Sequence, residues 1–223
     1  MELTAIYAIL QRNASAIVST TMRKISQLGD GMVYGSYNAR YEDEIVKAMV
    51  KKDGGNPQGV KVEQQQGKLS LFEATKQGKV DATWVFMPWE GVEAELEGVK
   101  LNAFRPEEYD IPYGYSPVIA RDAKSTKLSK DDLWNFVAAT MEGYRYAMND
   151  PDFAVECVGK YCHPPRSRDF LQKSQLAINE YYSDGSTLGR MSSQRWRSWV
   201  EWLEKAGLLK GAKIDSEQLF KQP

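Results

Sequence analysis

The chain has little that would mark it as an enzyme. Its 223 residues contain one histidine and two cysteines. No Ser-His-Asp set can be assembled without His163, which stands beside a Pro-Pro turn in "YCHPP". No HExxH, GxGxxG or phosphate-loop pattern occurs. The carboxylates Glu90, Glu93, Glu95 and Glu97 read as helix-face charges, not as a poised acid/base pair. Two cysteines are too few for a disulfide framework. Cys157 and Cys162 sit five apart on one expected helix, on neighbouring faces that suit a disulfide poorly. With His163 they leave a metal one ligand short of a closed site. No catalytic residue, no metal and no cofactor is therefore expected, and "ECVGKYCHPP" reads as a helix end stopped by prolines.

An excess of one charge is also lacking. Twenty-nine basic and thirty acidic side chains give a formal net charge of −1, so neither nucleic acid nor anionic lipid is an expected partner. No apolar run approaches the roughly 18–20 residues that span a bilayer, so no membrane insertion is expected. The opening "MELTAIYAILQRN" has no basic n-region, full apolar core or small-residue cleavage site, and is not read as a secretory signal. If Met1 is the true start, the chain is expected in the cytoplasm. There are no internal repeats and no low-complexity segments. What is present is 42% apolar and 26% charged residues, the profile of a globular chain with enough length for one large domain or two lobes.

Residues 3–10 and 16–19 are short strand-like runs parted by "QRN". "GMVYGSYN" reads as a strand ending in a Gly-Ser turn, and "ARYEDEIVKAMVKKDGG" as a helix with Tyr41, Ile45, Ala48 and Met49 on one face. Strands over 60–64, 80–87 and 100–104 alternate with short helices in "KLSLFEATKQG" and "WEGVEAELEG". That alternation predicts an α/β lobe with a largely parallel sheet. "YDIPYGYSPVIARD" is a bent segment leading into the strand "PVIA". Helices are expected over 130–149, 151–161, 167–182 and 192–206, with Ser129 and Ser192 as N-caps and Pro151 at a helix start. The stripe Trp196, Trp199, Val200, Leu203 is read as core.

Open α/β sheets bind ligands beyond the carboxyl ends of their strands, and the unusual residues gather at such ends. Gly35 and Ser36 can offer backbone N–H groups and a hydroxyl to a polar or anionic group, or form an ordinary capped turn. Tyr37 follows them. Arg40 can pair with a ligand anion, or with Glu42 or Glu44. In "WVFMPWEG", Trp84 and Trp89, with Tyr113 and Tyr115, can form a slot for a planar ring, and Glu90 can accept from its amino groups. Strand alternation leaves core packing as the competing reading; Phe86 is expected in the core and Trp89 at the ligand.

"YGSYNARYEDEIVKAMVKKDGG", "GKVDATWVFMPWEGVEAELEGVKLNAF" and "YDIPYGYSPVIA" together resemble the thiamine-pyrimidine-synthase-like branch of the periplasmic binding proteins. The branch includes solute-binding proteins of ABC importers and the thiamine pyrimidine synthases. The resemblance covers residues 3–161 and implies a type 2 periplasmic binding-protein fold: two α/β lobes, two crossovers and a ligand in the cleft between them. It implies a complete second lobe over 21–109 and a partial, helix-rich first lobe from 1–20 and 110–223. The family's opening strand–helix elements would precede this chain, so the chain is expected to lack the N-terminal part that also carries any export signal. The implied function is binding of a planar heterocycle, such as a thiamine-pyrimidine precursor, with an ABC permease as partner. The alternatives are a synthase and a non-binding remnant. The synthases' lysine and histidine lie in the absent opening lobe, and their cysteine-rich run is replaced here by "IPYGYSPVIARD".

Overall fold

The computed structural model describes residues 2–65, 70–185 and 188–222. The chain forms two compact units, one of 1–14 with 113–223, the other of 15–112. Among the described residues no helix is long and apolar enough to cross a membrane.

The 15–112 unit is built on a five-stranded sheet. Its strands are β2 (Ser15–Ser19), β3 (Val33–Ser36), β4 (Lys61–Gln64), β5 (Ala82–Phe86) and β6 (Asn102–Phe104), in the order β4-β3-β5-β2-β6. β3 runs parallel to both β4 and β5, whereas β2 is antiparallel to both β5 and β6. The sheet is therefore mixed, not largely parallel as the alternation of elements predicts. The correction turns on β2. It enters this sheet from outside the strand–helix alternation and takes the place beside β5 that another crossover strand would fill. It also belongs to this unit, while the sequence reading grouped 1–20 with the other lobe.

Three helices complete the unit: α1 (Glu42–Lys52), α2 (Leu71–Lys76) and α3 (Val92–Leu96). Lys68 and Leu69, expected at the start of α2, lie outside the described residues. Ser70 caps α2 by accepting from the Glu73 N–H at 3.1 Å. The buried face of α1 carries Glu42, Ile45, Val46, Met49 and Val50. It is rotated from the expected stripe, because Tyr41 is a left-handed residue before the first turn and Ala48 lies beside the face. Ala16, Val18, Phe72, Val85 and Ala94 form one core cluster between sheet and helices.

The other unit pairs β1 (Leu3–Ala8) antiparallel with β7 (Val118–Asp122). The far edge of β1 does not stay open. The Ala5 N–H donates to the Leu219 carbonyl, the Lys221 N–H to the Ala5 carbonyl and the Ala8 N–H to the Gly189 carbonyl. Four helices pack around the pair: α4 (Lys130–Asn149), α5 (Pro151–Gly159), α6 (Arg168–Tyr182) and α7 (Ser193–Lys205). Their starts are set by side-chain caps. Ser129, Asp150, Ser167 and Ser192 each accept from a backbone N–H three residues on. Ile6, Tyr7, Leu133 and Val137 form its core with half-buried Met141 and Tyr144. Val200 and Leu203 of α7 are buried, and Trp196 and Trp199 are half-buried packing residues. Both cysteines are free thiols.

Candidate functional site

The carboxyl ends of β3 and β5 lie on the same side of the sheet, since the two strands are parallel neighbours. After β3 the chain makes a tight turn through Tyr37, Asn38 and Ala39 into α1. Gly35 is buried, and a Cβ there would stand 2.9 Å from Leu71 Cδ2 and 3.1 Å from Val80 Cγ2. Its carbonyl accepts from the Thr83 hydroxyl at 2.8 Å, which ties β3 to β5. Ser36 is fully buried; its hydroxyl donates to Asp43 Oδ1 at 2.6 Å and accepts from the Asn38 N–H at 3.0 Å.

The turn's donors are already engaged from inside. Glu42 accepts from the Tyr34 hydroxyl at 2.6 Å, the Tyr37 N–H at 3.1 Å and the Ala39 N–H at 2.9 Å. It is only 4% exposed. A buried carboxylate is tolerated only when its lone pairs find donors, and here three do so. Burial first, then the charge of Glu42 and its hydrogen bond, push the Tyr34 phenol well above its ordinary range. In the sequence Glu42 is one of three possible partners for Arg40, beside Glu44 and a ligand anion. Instead Glu42 points inward, and the exposed Arg40 guanidinium lies over the Tyr41 ring, 4.8 Å from its centroid. An acidic residue in the first turn of a helix is a known companion of freed N–H groups, and that was the available signal for Glu42.

β5 continues directly into a π-helical turn, Met87–Gly91, and then α3. Glu90 folds back on the strand end and accepts from the Phe86 N–H at 2.9 Å. Trp84, Trp89 and Glu90 are half-buried. Phe86, expected in the core, is 51% exposed, while Val85 is 1% exposed. The core therefore takes the Thr83–Val85 side of the strand, and Phe86 shares the face of Trp84. Gly91 admits the Met87 side chain, whose Cε would be 2.9 Å from an added Cβ. Tyr37 reaches toward this turn. Its pKa is raised, first by burial and then by the negative charge of Glu90. Tyr37, Trp84, Trp89 and Glu90 thus belong to one end of one sheet, with Gly35 and Ser36 behind them as packing.

Tyr113 and Tyr115 belong to the other unit, where both pack on α7. The Tyr113 ring meets Trp199 at 5.4 Å between centroids, and Tyr115 meets Trp196 at 5.7 Å. Gly114 lies between them under Trp199, whose Cδ1 would be 2.9 Å from an added Cβ. Arg195 organises this segment. It donates to the carbonyls of Gln11, Tyr113 and Gly114, and its guanidinium carbon stands 4.1 Å from the Tyr115 centroid. Nothing in the helical spacing of α7 distinguished Arg195 from its charged neighbours.

Among the described residues, Glu73, Glu93 and Glu97 form the one group of acidic, histidine or cysteine side chains close enough to hold a cation. Lys76 occupies that role: its Nζ is 2.5 Å from both Glu73 Oε1 and Glu97 Oε2. Burial pulls the Lys76 ammonium down, but its hydrogen bonds to the two carboxylates outweigh it and the pKa rises.

The fold is shared with solved binding proteins of low sequence similarity. The alkanesulfonate-binding protein SsuA from Xanthomonas axonopodis pv. citri, bound to MOPS, superposes with a TM-score of 0.73 at 10% identity, covering 100% of this chain and 74% of that one. The ligand-binding component of an ABC-type import system from Staphylococcus aureus, with zinc bound, gives 0.70 at 14% identity, covering 99% and 72%. The periplasmic aliphatic sulphonate binding protein SsuA from Escherichia coli gives 0.71 at 13% identity, covering 100% and 70%. The architecture is thus periplasmic binding-protein-like. No curated protein matches the sequence. A family model does, over residues 1–154, well more than half of the chain. The chain is therefore a member of the NMT1/THI5-like family.

Proposed function

We propose that the chain binds a small organic molecule, as the solute-binding component of an ABC importer, and that its ligand is a planar, nitrogen-bearing heterocycle. Family membership and fold support the first part, with a permease as the partner that reads the loaded protein. The ring chemistry rests on one observation: half-buried Trp84 and Trp89 and exposed Phe86 stand in the same short stretch as Glu90, whose carboxylate accepts from the Phe86 N–H. Indoles offer a flat apolar surface, and a carboxylate accepts from ring amino or N–H groups. Thiamine-related aminopyrimidines have that pattern of groups.

The sulfonates named for the structural relatives are the second reading. A sulfonate needs donors or cations. At this strand end the carboxylates Glu42, Asp43 and Glu90 outnumber the Arg40 cation, which lies over Tyr41, and the Tyr37 and Ala39 N–H groups are taken by Glu42. That balance favours a ligand that donates hydrogen bonds over one that only accepts them.

A thermal-shift screen with aminopyrimidines, thiamine, pyridoxal phosphate and aliphatic sulfonates tests the proposal. A ligand present at about 100 times its Kd stabilises the native state by about 2.7 kcal/mol, which is readily seen. The expected result is a shift for an amino-bearing heterocycle that Trp89→Ala and Glu90→Gln both abolish. A shift for sulfonates alone would favour the second reading. Turnover of pyridoxal phosphate, in place of reversible binding, would indicate the synthase alternative. No shift with any compound, from a chain that melts cooperatively, would overturn the reading of "WVFMPWEG" as a ligand site.

A further inference from the structure

The unit formed by 1–14 and 113–223 contains a hollow of about 400 Å³ at the start of α4. Its floor is apolar, made by the buried side chains of Ile6 on β1 and Leu133 on α4. Trp134 lines it and is 53% exposed, so its indole is accessible. Three residues that carry cations line it: Arg121 from β7, Lys130 from the first turn of α4 and Lys221 from the C-terminal tail. One carboxylate, Asp131, stands against them. Among the described residues none of the three cations makes an ion pair, and Arg121 donates to the Ser125 carbonyl at 3.3 Å. Lys130 also sits at a helix N-terminus, where the macrodipole opposes a positive charge.

Like charges over an apolar floor repel one another and gain nothing from the surface beneath. We propose that this hollow binds a small organic anion with a flat apolar body, of the aromatic carboxylate class. The ring would lie on Ile6 and Leu133 against the Trp134 indole, and the carboxylate would accept from Arg121 and Lys130, with Lys221 adding charge from the tail. A cavity of this size suits a molecule of one or two fused rings. An inorganic anion would leave the indole and the floor uncovered. The site is made within one unit and does not depend on the heterocycle reading.

Isothermal titration calorimetry of the full chain with naphthoate tests the inference, with naphthalenemethanol as the neutral comparison. One equivalent of naphthoate should bind. Arg121→Ala, Lys130→Ala and Trp134→Ala should each weaken it by about tenfold, the scale of one charge-assisted hydrogen bond or one ring contact. Naphthalenemethanol should bind at least about tenfold more weakly, and added salt should erode the naphthoate affinity. Trp89→Ala and Glu90→Gln should leave this binding unchanged even though they abolish the heterocycle shift, which separates failure of one site from failure of the other. Lys130 and Trp134 are exposed, so those variants should fold and decide the matter even if Arg121→Ala does not. Absence of saturable heat, or equal affinity in Lys130→Ala, Trp134→Ala and the unaltered chain, would overturn the proposal.

Discussion

The Arg195 guanidinium lies 4.1 Å from the centre of the Tyr115 ring, and the hydroxyl of that same ring accepts from the Ser192 N–H at 3.0 Å, one turn before Arg195. The two side chains lock the 113–115 segment to the start of α7. Arg195 adds hydrogen bonds to the carbonyls of Gln11, Tyr113 and Gly114, so one fork holds two stretches of chain far apart in sequence. A lysine cannot reproduce that planar set of donors. Arg195→Ala is expected to cost about 2–4 kcal/mol, from several charge-assisted bonds and a ring contact. Arg195→Lys should recover less than half of the loss. Urea unfolding followed by circular dichroism checks both.

Glu42 is the corresponding fastener of the other unit. Glu42→Ala leaves the Tyr34 hydroxyl and the Tyr37 and Ala39 N–H groups without their acceptor. The expected loss is about 2–4 kcal/mol, since unsatisfied buried donors keep their full desolvation penalty. Glu44→Ala, an exposed neighbour on the same helix, should change stability by less than about 0.5 kcal/mol. Equal effects of the two in urea titrations would mean that the turn is held by something other than Glu42.

The two faces of β5 make opposite predictions. Val85 is 1% exposed in a core cluster with Ala16, Val18, Phe72 and Ala94, whereas Phe86 is 51% exposed. Val85→Ala should destabilise by about 1–3 kcal/mol, through lost burial and a residual cavity. Phe86→Ser should leave stability within about 0.5 kcal/mol while weakening any ring bound at that strand end. Chemical denaturation beside the ligand screen separates the two effects.

Tyr7, Tyr144 and Tyr182 form a ring chain, with centroids 5.8 Å apart for Tyr7–Tyr144 and 4.8 Å for Tyr144–Tyr182. Burial, and then the neighbouring phenols, push Tyr7 and Tyr182 from 10.0 up to about 12. These phenols hold their protons more tightly folded than unfolded. Their contribution is therefore fully present below pH 10 and is lost as pH rises from 10 towards about 12. The denaturation midpoint of the unaltered chain should fall across that window more steeply than that of Tyr7→Phe/Tyr182→Phe, measured at matched pH. Parallel curves for the two proteins would refute this coupling.

Gly189 has no room for a side chain. Its φ is +77°, and an added Cβ would lie 2.1 Å from the Tyr7 ring. Backbone strain and overlap with a fully buried ring would act together in Gly189→Ala, for a cost of about 3 kcal/mol or more. Exposed Gly185, also at positive φ but with nothing within 4 Å of an added Cβ, should tolerate alanine with a loss of only about 1 kcal/mol. The melting temperatures of the two variants give the comparison.

Much of the local structure was legible in the sequence because it is decided by neighbours along the chain. Ser129, Asp150, Ser167 and Ser192 set helix starts by bonding N–H groups three residues on, and β-branched runs marked β5 and β7. The strand-end positions of Tyr37, Trp89 and Glu90 were readable for the same reason, as was the family through its longer motifs. Other features depend on partners that the local pattern does not name. Alternation in "ATWVF" defines two faces, but only packing against Phe72 and Ala94 decides that Val85 is buried and Phe86 exposed. The antiparallel entry of β2 beside β5 made the sheet mixed, and no local signal specifies strand direction. Glu42 and Arg195 carry no local signal of their roles, because the N–H groups and carbonyls they bind come together only when the backbone turns are formed. Short-range hydrogen bonding and periodicity determined the elements; long-range desolvation decided which faces, charges and rings those elements turn inward.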